Sequence, residues 1–156
     1  MKIALFTFVF IAGVITTAHA RLGDTPDQLA ARYGQPLTEI DEKAEGTQIP
    51  VSNYVFQKGG FEIKVTVSNG VSAEESYKKL NGDTFTDAEI RTLLGANSQG
   101  SEWEAPQPAT GGKSWARDDG STAALNGKTF KVTSKDLIAA QTSAKKTEAQ
   151  PSLDGF

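Results

Sequence analysis

Apolar residues along the chain recur with two spacings, one typical of helices and one typical of strands. Two short segments, residues 25–34 and 86–95, have helical spacing and nearly the same plan. Each begins with a threonine that can cap a helix, has Gln or Glu three residues later, and closes on a glycine. The pattern predicts two capped helices of about two turns each, which need a surface to pack on.

Alternating apolar and polar residues predict strands after each helix. Tight turns are indicated at Lys58-Gly59-Gly60, Asp118-Asp119-Gly120 and the two Asn-Gly pairs, at residues 69–70 and 126–127. The predicted strands cover residues 54–56, 61–67, 71–79, 114–117, 121–125 and 129–133. A short last helix is predicted at residues 134–140.

A constant offset also relates positions of the two segments. Gly34 and Gly95, Tyr54 and Trp115, and Gly59 and Gly120 are all 61 residues apart. Either the chain contains a duplicated unit, or capped helices followed by hairpins look alike by chance; we favour duplication. The predicted fold is α+β, with two helix-plus-antiparallel-sheet units, 21–80 and 81–140, forming one compact domain. Residues 141–156 are polar without periodicity and are predicted to be a flexible tail.

The start of the chain, MKIALFTFVFIAGVITTAHA, has the plan of a secretory signal peptide, 1–20. Lys2 gives a positive start, an apolar run follows, and Ala18-His19-Ala20 fits the small-x-small pattern that signal peptidase cleaves. The apolar run is short for a membrane span. We therefore expect cleavage after Ala20 and a periplasmic or secreted chain without stable membrane insertion.

The mature chain lacks two residue types that many catalytic and metal-binding sites require. The sequence has no cysteine, and its only histidine, His19, leaves with the signal peptide. These absences exclude disulfides, Ser-His-Asp and Cys-His catalysis, and ordinary zinc or copper sites. Without the leader, 15 basic and 19 acidic side chains remain, and no basic cluster indicates a nucleic-acid partner. We expect no cofactor and no metal.

One set of motifs covers residues 23–70 and recurs loosely in residues 86–132. In order, it reads Gly23-x-Thr25-x-x-Gln28-Leu29, Gly34-x-Pro36, Tyr54-x-Phe56 and Phe61-x-Ile63-x-Val65-x-Val67-x-Asn69-Gly70. These motifs resemble those of the SmpA/OmlA envelope lipoproteins, and the layout is similar to that of the tandem-repeat β-lactamase inhibitor proteins. The resemblance implies a small exported binding protein, either a barrel-assembly accessory or an enzyme inhibitor. The chain departs from both, because it has neither the cysteine of a lipoprotein nor the disulfides of the inhibitors.

Aromatic side chains dominate many protein–protein contacts, which makes four residues candidates for a binding site. Tyr54 shares a strand face with Phe56, which we expect to fill the core, and Trp115 occupies the equivalent place in the second unit. Trp103 lies beside a loop rich in proline and glycine and is the best candidate for the surface. Arg117 could add a charged contact. For each of the four, a core or solvated position is the alternative.

The carboxylates give little evidence for a metal site or an active site. Residues 81–87 superficially resemble a calcium loop, but Phe85 occupies a ligand position and no glycine follows it. Asp118 and Asp119 fit a turn, and no two carboxylates are placed near a predicted cleft. We therefore predict no catalytic residues.

The sequence favours a protein that is not an enzyme. We predict an exported binding module of the cell envelope, whose partner is another envelope or secreted protein and whose oligomeric state the sequence leaves open. The exposed sheet face, with Glu62, Lys64 and Thr66, and the loop beside Trp103 would hold that partner. The alternatives are an inhibitor of a secreted or periplasmic hydrolase, a small metal-independent hydrolase that uses two carboxylates, and a structural envelope protein.

Overall fold

The structure is a computed structural model, and it describes residues 22–44 and 47–148. The predicted signal peptide lies outside the described residues. Along the chain the elements are α1 (Pro26–Tyr33), β1 (Thr38–Lys43), β2 (Pro50–Lys58), β3 (Phe61–Ser68), β4 (Val71–Lys79), α2 (Asp87–Ala96), β5 (Gln107–Ala109), β6 (Gly112–Ala116), β7 (Thr122–Asn126), β8 (Thr129–Thr133) and α3 (Lys135–Glu148).

All eight strands form a single antiparallel sheet in the order β1-β2-β3-β4-β8-β7-β6-β5. Each group of four consecutive strands therefore occupies one half of the sheet, and β4 pairs with β8 at the centre. The predicted Asn-Gly hairpin between β3 and β4 is confirmed, since Asn69 and Gly70 both have positive φ. The α+β fold class is confirmed.

Both capping boxes predicted from sequence are present. The side chains of Thr25 and Thr86 accept hydrogen bonds from the backbone N–H groups of Gln28 and Glu89, whose side chains bond back to the caps. Asn97 rather than Gly95 ends α2, contrary to the prediction. The buried Asn97 amide donates to Leu93 O at 3.1 Å, which satisfies a carbonyl at the end of the helix.

One hydrophobic core lies between the sheet and the first two helices. Leu29 of α1 and Ile90 and Leu94 of α2 pack on the apolar sides of the strands. The strand residues in this core alternate with polar neighbours, as Ile63, Val65 and Val67 do in β3. The ring of Phe130, which is fully buried, has its centroid within 6.5 Å of those of Tyr77, Phe85 and Trp115, so both halves of the sheet share the core.

Three elements differ from the sequence-based expectations. Strand β1 was not expected, because only one of its residues, Ile40, is a large apolar residue and all six are exposed. Strand β5 lies within the stretch predicted to be a loop. Helix α3 continues to Glu148 through residues that were expected to form a tail, because alanine, lysine and glutamate favour helix without an apolar pattern. Within the described ranges, no helix has the length and apolar character that crossing a membrane requires.

Candidate functional site

The side of the sheet opposite α1 and α2 carries polar and small residues. We call it the open face, and define it by Ile40, Asn53, Val55, Lys64, Thr66, Glu74, Ser76, Ala124, Asn126, Thr129 and Lys131. Leu137 and Gln141 of α3 line one side of it. Together these residues surround a groove with a volume of about 720 Å³. A groove of this size is large enough to receive side chains of another molecule.

The middle of the open face is a row of residues that are paired across strands. Lys64 pairs with Ser76, and Ser76 pairs with Lys131, so one serine lies between two lysines. Val55 extends the row on one side and Ala124 on the other. The centre of the groove therefore offers ammonium and hydroxyl groups, and its flanks are apolar.

The ion pairs on this face are exposed and can be exchanged for contacts with a partner. Lys131 lies 3.2 Å from Glu74, and Lys64 lies 3.9 Å from Glu62. The side chains of both lysines are about half or more exposed. Exposed pairs of this kind contribute at most about 1 kcal/mol to stability. A partner's carboxylate could therefore replace them at little cost.

The structure places Tyr54 and Trp115 on the core side of the sheet, where both are largely buried. Tyr54 stacks on Phe56, with ring centroids 6.3 Å apart, and its hydroxyl donates to Glu39 at 2.8 Å. Burial is the main cause that raises the pKa of Tyr54, and the hydrogen bond to Glu39 is the next largest. The Trp115 ring lies 5.9 Å from that of Phe130. Phe56 is almost fully buried, and its expected core position is confirmed.

Arg117 and Trp103 contact each other and hold several segments together. The guanidinium of Arg117 lies 5.4 Å above the Trp103 ring, and the indole N–H of Trp103 donates to Leu94 O at 2.8 Å. Only 3% of Arg117 is exposed. Its buried guanidinium is satisfied by hydrogen bonds that it donates to Asp119, Gln99, Ser121 and the carbonyl of Asn97. A role in binding a partner stays a prediction for these four candidates. Tyr54 borders the groove on the open face, whereas Trp103, Trp115 and Arg117 do not.

Asp83 and Asp119, two of the carboxylates considered in the sequence analysis, are engaged with their neighbours. Asp83 accepts from the Asn81 amide at 2.7 Å within the turn before α2. The hydrogen bonds from Arg117 hold the pKa of Asp119 well below its usual range. Across residues 22–44 and 47–148, no group of three or more His, Cys, Asp or Glu residues could hold a metal ion.

Glu75 is a buried acid that the sequence analysis did not single out. It lies in β4 at the centre of the sheet, is 0% exposed, and faces the core beneath α1. Its Oε2 accepts from the hydroxyl of Tyr33 in α1 at 3.2 Å and from the hydroxyl of Tyr77. Among the described residues, its Oε1 has no hydrogen-bond partner. The alternation Ala73-x-Glu75-x-Tyr77 was a usable signal, because Ala73 and Tyr77 also face inward.

Burial dominates the acid–base behaviour of this cluster. Desolvation raises the pKa of Glu75 to about 6, against 4.5 for a free glutamate, although the bonds from Tyr77 and Tyr33 act in the opposite direction. Desolvation and the nearby Glu75 carboxylate also raise the pKa of both tyrosines. Glu75 therefore changes charge within the range of pH that cells and their surroundings commonly reach.

Compared with family models, curated proteins and solved structures, the chain matches none of them. The likeness to the SmpA/OmlA lipoproteins therefore rests on sequence motifs alone and stays a prediction. Our functional proposals rest on the open face and the Glu75 cluster.

Proposed function

We propose that the protein is an exported, non-catalytic module of the cell envelope that binds another protein on its open face. The observation that carries this proposal is the groove of about 720 Å³ on a sheet face that α1 and α2 leave uncovered. The groove combines ammonium, hydroxyl and amide groups with exposed apolar residues such as Ile40, and protein interfaces likewise mix polar and apolar area.

The carboxylates in the groove favour binding over catalysis. Glu74 pairs with Lys131 and accepts from the Thr133 hydroxyl at 3.1 Å. Glu42 accepts from the Asn53 amide at 2.6 Å. Both acids are thus engaged with neighbours on the sheet, whereas a hydrolytic pair needs one acid positioned to protonate a leaving group and one to activate water.

We also infer that the two halves of the sheet are a duplicated unit of the SmpA/OmlA type. Three features support this inference: both halves follow a helix with the same capping box, both contain four strands, and the halves meet through their last strands, β4 and β8. A duplication would explain why the sheet is broad enough to form a continuous groove. Export is supported by the leader sequence and its Ala18-His19-Ala20 cleavage pattern.

Ser76→Arg tests the proposed binding surface. Ser76 lines the groove between two lysines, so an arginine there would block the middle of the face and add a positive charge. Tagged protein purified under native conditions from its own cells or medium is expected to retain a stoichiometric partner. Ser76→Arg is expected to lower the recovery of that partner at least about tenfold, as substitutions at the centre of an interface do.

The matched control is Arg91→Ala, an exposed position of α2 on the other side of the sheet. It should leave recovery of the partner unchanged, and the circular dichroism spectra and melting temperatures of both variants should show that they fold. Full recovery with Ser76→Arg, or no partner with the wild-type chain, would contradict the proposed function.

A further inference from the structure

Glu75 has hydrogen bonds that join a strand to a helix. Tyr77 lies on the same strand, whereas Tyr33 belongs to α1, and their hydroxyls lie 3.3 Å apart. Both contact the same carboxylate oxygen, and the other oxygen has no donor among the described residues. An ionised carboxylate in a closed apolar site is costly when its lone pairs are not all satisfied.

The groups around Glu75 supply little compensating positive charge. Asp24, in the segment before α1, opposes its ionisation, and Arg32 of α1 favours it. Arg32 is already engaged, because its guanidinium donates to Asp24. The cross-strand neighbours in β3 and β8 are Val65 and Val132, which carry no charge. The free energy of packing α1 over this carboxyl group therefore depends on whether Glu75 carries a proton.

The segment before α1 is anchored to β4, since the Gly23 N–H donates to Ser72 O and the Ser72 N–H donates to Asp24 O, but the helix itself has few other contacts with the sheet. It is eight residues long, and Leu29 is its only fully buried side chain. The Tyr33 ring packs 5.3 Å from that of Phe56, and Lys58 donates to the carbonyl of Arg32 at the end of the helix. The contacts of Tyr33 are thus a large part of what holds the helix in place.

We propose that α1 is a proton-controlled lid: it closes on the sheet when Glu75 is protonated, and it opens more readily when Glu75 is ionised. Opening hydrates the carboxylate and uncovers core residues such as Phe56. Closure requires the carboxyl group to lose water, which a neutral acid does at much lower cost than an anion. The closed form therefore binds the proton more tightly than the open form.

The direction of the pH effect follows from this difference. The pKa of Glu75 is about 6 in the closed form, and it returns towards 4.5 when the site is hydrated. Closure is therefore fully favoured below about pH 4.5 and becomes weaker as the pH rises through 6. An exported chain meets the pH of its surroundings, so the lid would respond to acidification outside the cell.

Amide hydrogen exchange of the full chain tests the lid. The N–H groups of Leu29 and Gly34 bond to the carbonyls of Thr25 and Ala30. A helix of eight residues does not persist in water once it leaves the sheet, so these bonds break when α1 opens. After correction for the intrinsic exchange rate, the opening equilibrium at these amides is expected to rise about tenfold between pH 5 and pH 8. Amides of β3 and β8 should be protected more strongly at every pH, because they report global unfolding.

Two substitutions make the test specific. Glu75→Gln removes the proton-binding group, and it should abolish the pH dependence at the α1 amides. Tyr33→Phe removes a hydroxyl whose bond favours the anion, so it should move the midpoint of the opening curve to higher pH. Glu104→Gln, at an exposed position before β5, is the matched control and should leave the curve unchanged. Equal protection of α1 and β8 at all pH values, or a pH dependence that survives in Glu75→Gln, would overturn the proposal.

Discussion

Replacement of Arg117 with alanine is expected to lower the free energy of unfolding by about 3 kcal/mol. The guanidinium is buried and makes a forked pair with Asp119, with distances of 2.8 and 2.7 Å. It also donates to Gln99 and Ser121, both at 3.0 Å. Alanine would leave these acceptors without their donor, and the Trp103 ring would lose the charge above it.

The measurement is urea unfolding followed by tryptophan fluorescence, with Arg117→Lys and Arg91→Ala beside Arg117→Ala. Lysine keeps the charge but cannot form the fork, so we expect a loss of about 2 kcal/mol. Arg91 is exposed on α2, and its removal should change stability by less than about 0.5 kcal/mol. If Arg117→Ala stayed within that margin as well, the network would contribute nothing to stability.

Phe130→Ala is expected to be the most destabilising single change, at about 4 kcal/mol. The side chain is 0% exposed, and its ring lies near those of Tyr77 in the first half of the sheet and Trp115 in the second. Truncation would leave a cavity at the point where the two halves share their core. Because that core is common to both halves, unfolding should remain a single cooperative transition.

Thermal and urea unfolding of Phe130→Ala would measure both expectations. Leu80→Ala, at a residue that is 53% exposed, is the control and should have little effect. Two separate transitions, or a loss of stability below about 1 kcal/mol, would mean that the halves do not depend on a common core.

The parts of the fold that could be predicted from sequence are those with local physical signals. Capping boxes mark where α1 and α2 begin, and the Asn69-Gly70 pair marks the tight turn between β3 and β4. Strand β1 has no such signal: its sequence TEIDEK is exposed along its whole length and pairs with β2 on one side only. The register that joins β4 to β8 is a long-range feature, and no local pattern encodes it.

The candidate site was harder to predict, because alternation shows which residues share a face but not which face is covered. Tyr54 and Trp115 were candidates either for a binding surface or for the core, and both lie on the face against which the helices pack. Lys64 and Thr66 were expected on the exposed face and do line the groove. Glu75 was overlooked because a charged residue in a strand suggests solvent, although its inward neighbours Ala73 and Tyr77 fix its direction.

Photo-crosslinking in the native cells tests the binding role of the open face most directly. A photoreactive side chain would replace Ser76 on the open face in one variant, and Arg91 on the helical side in another. We expect the exported protein to form one crosslinked adduct of defined mass with its partner from position 76, and none from position 91. Adducts only from position 91, or the same adducts from both positions, would contradict it.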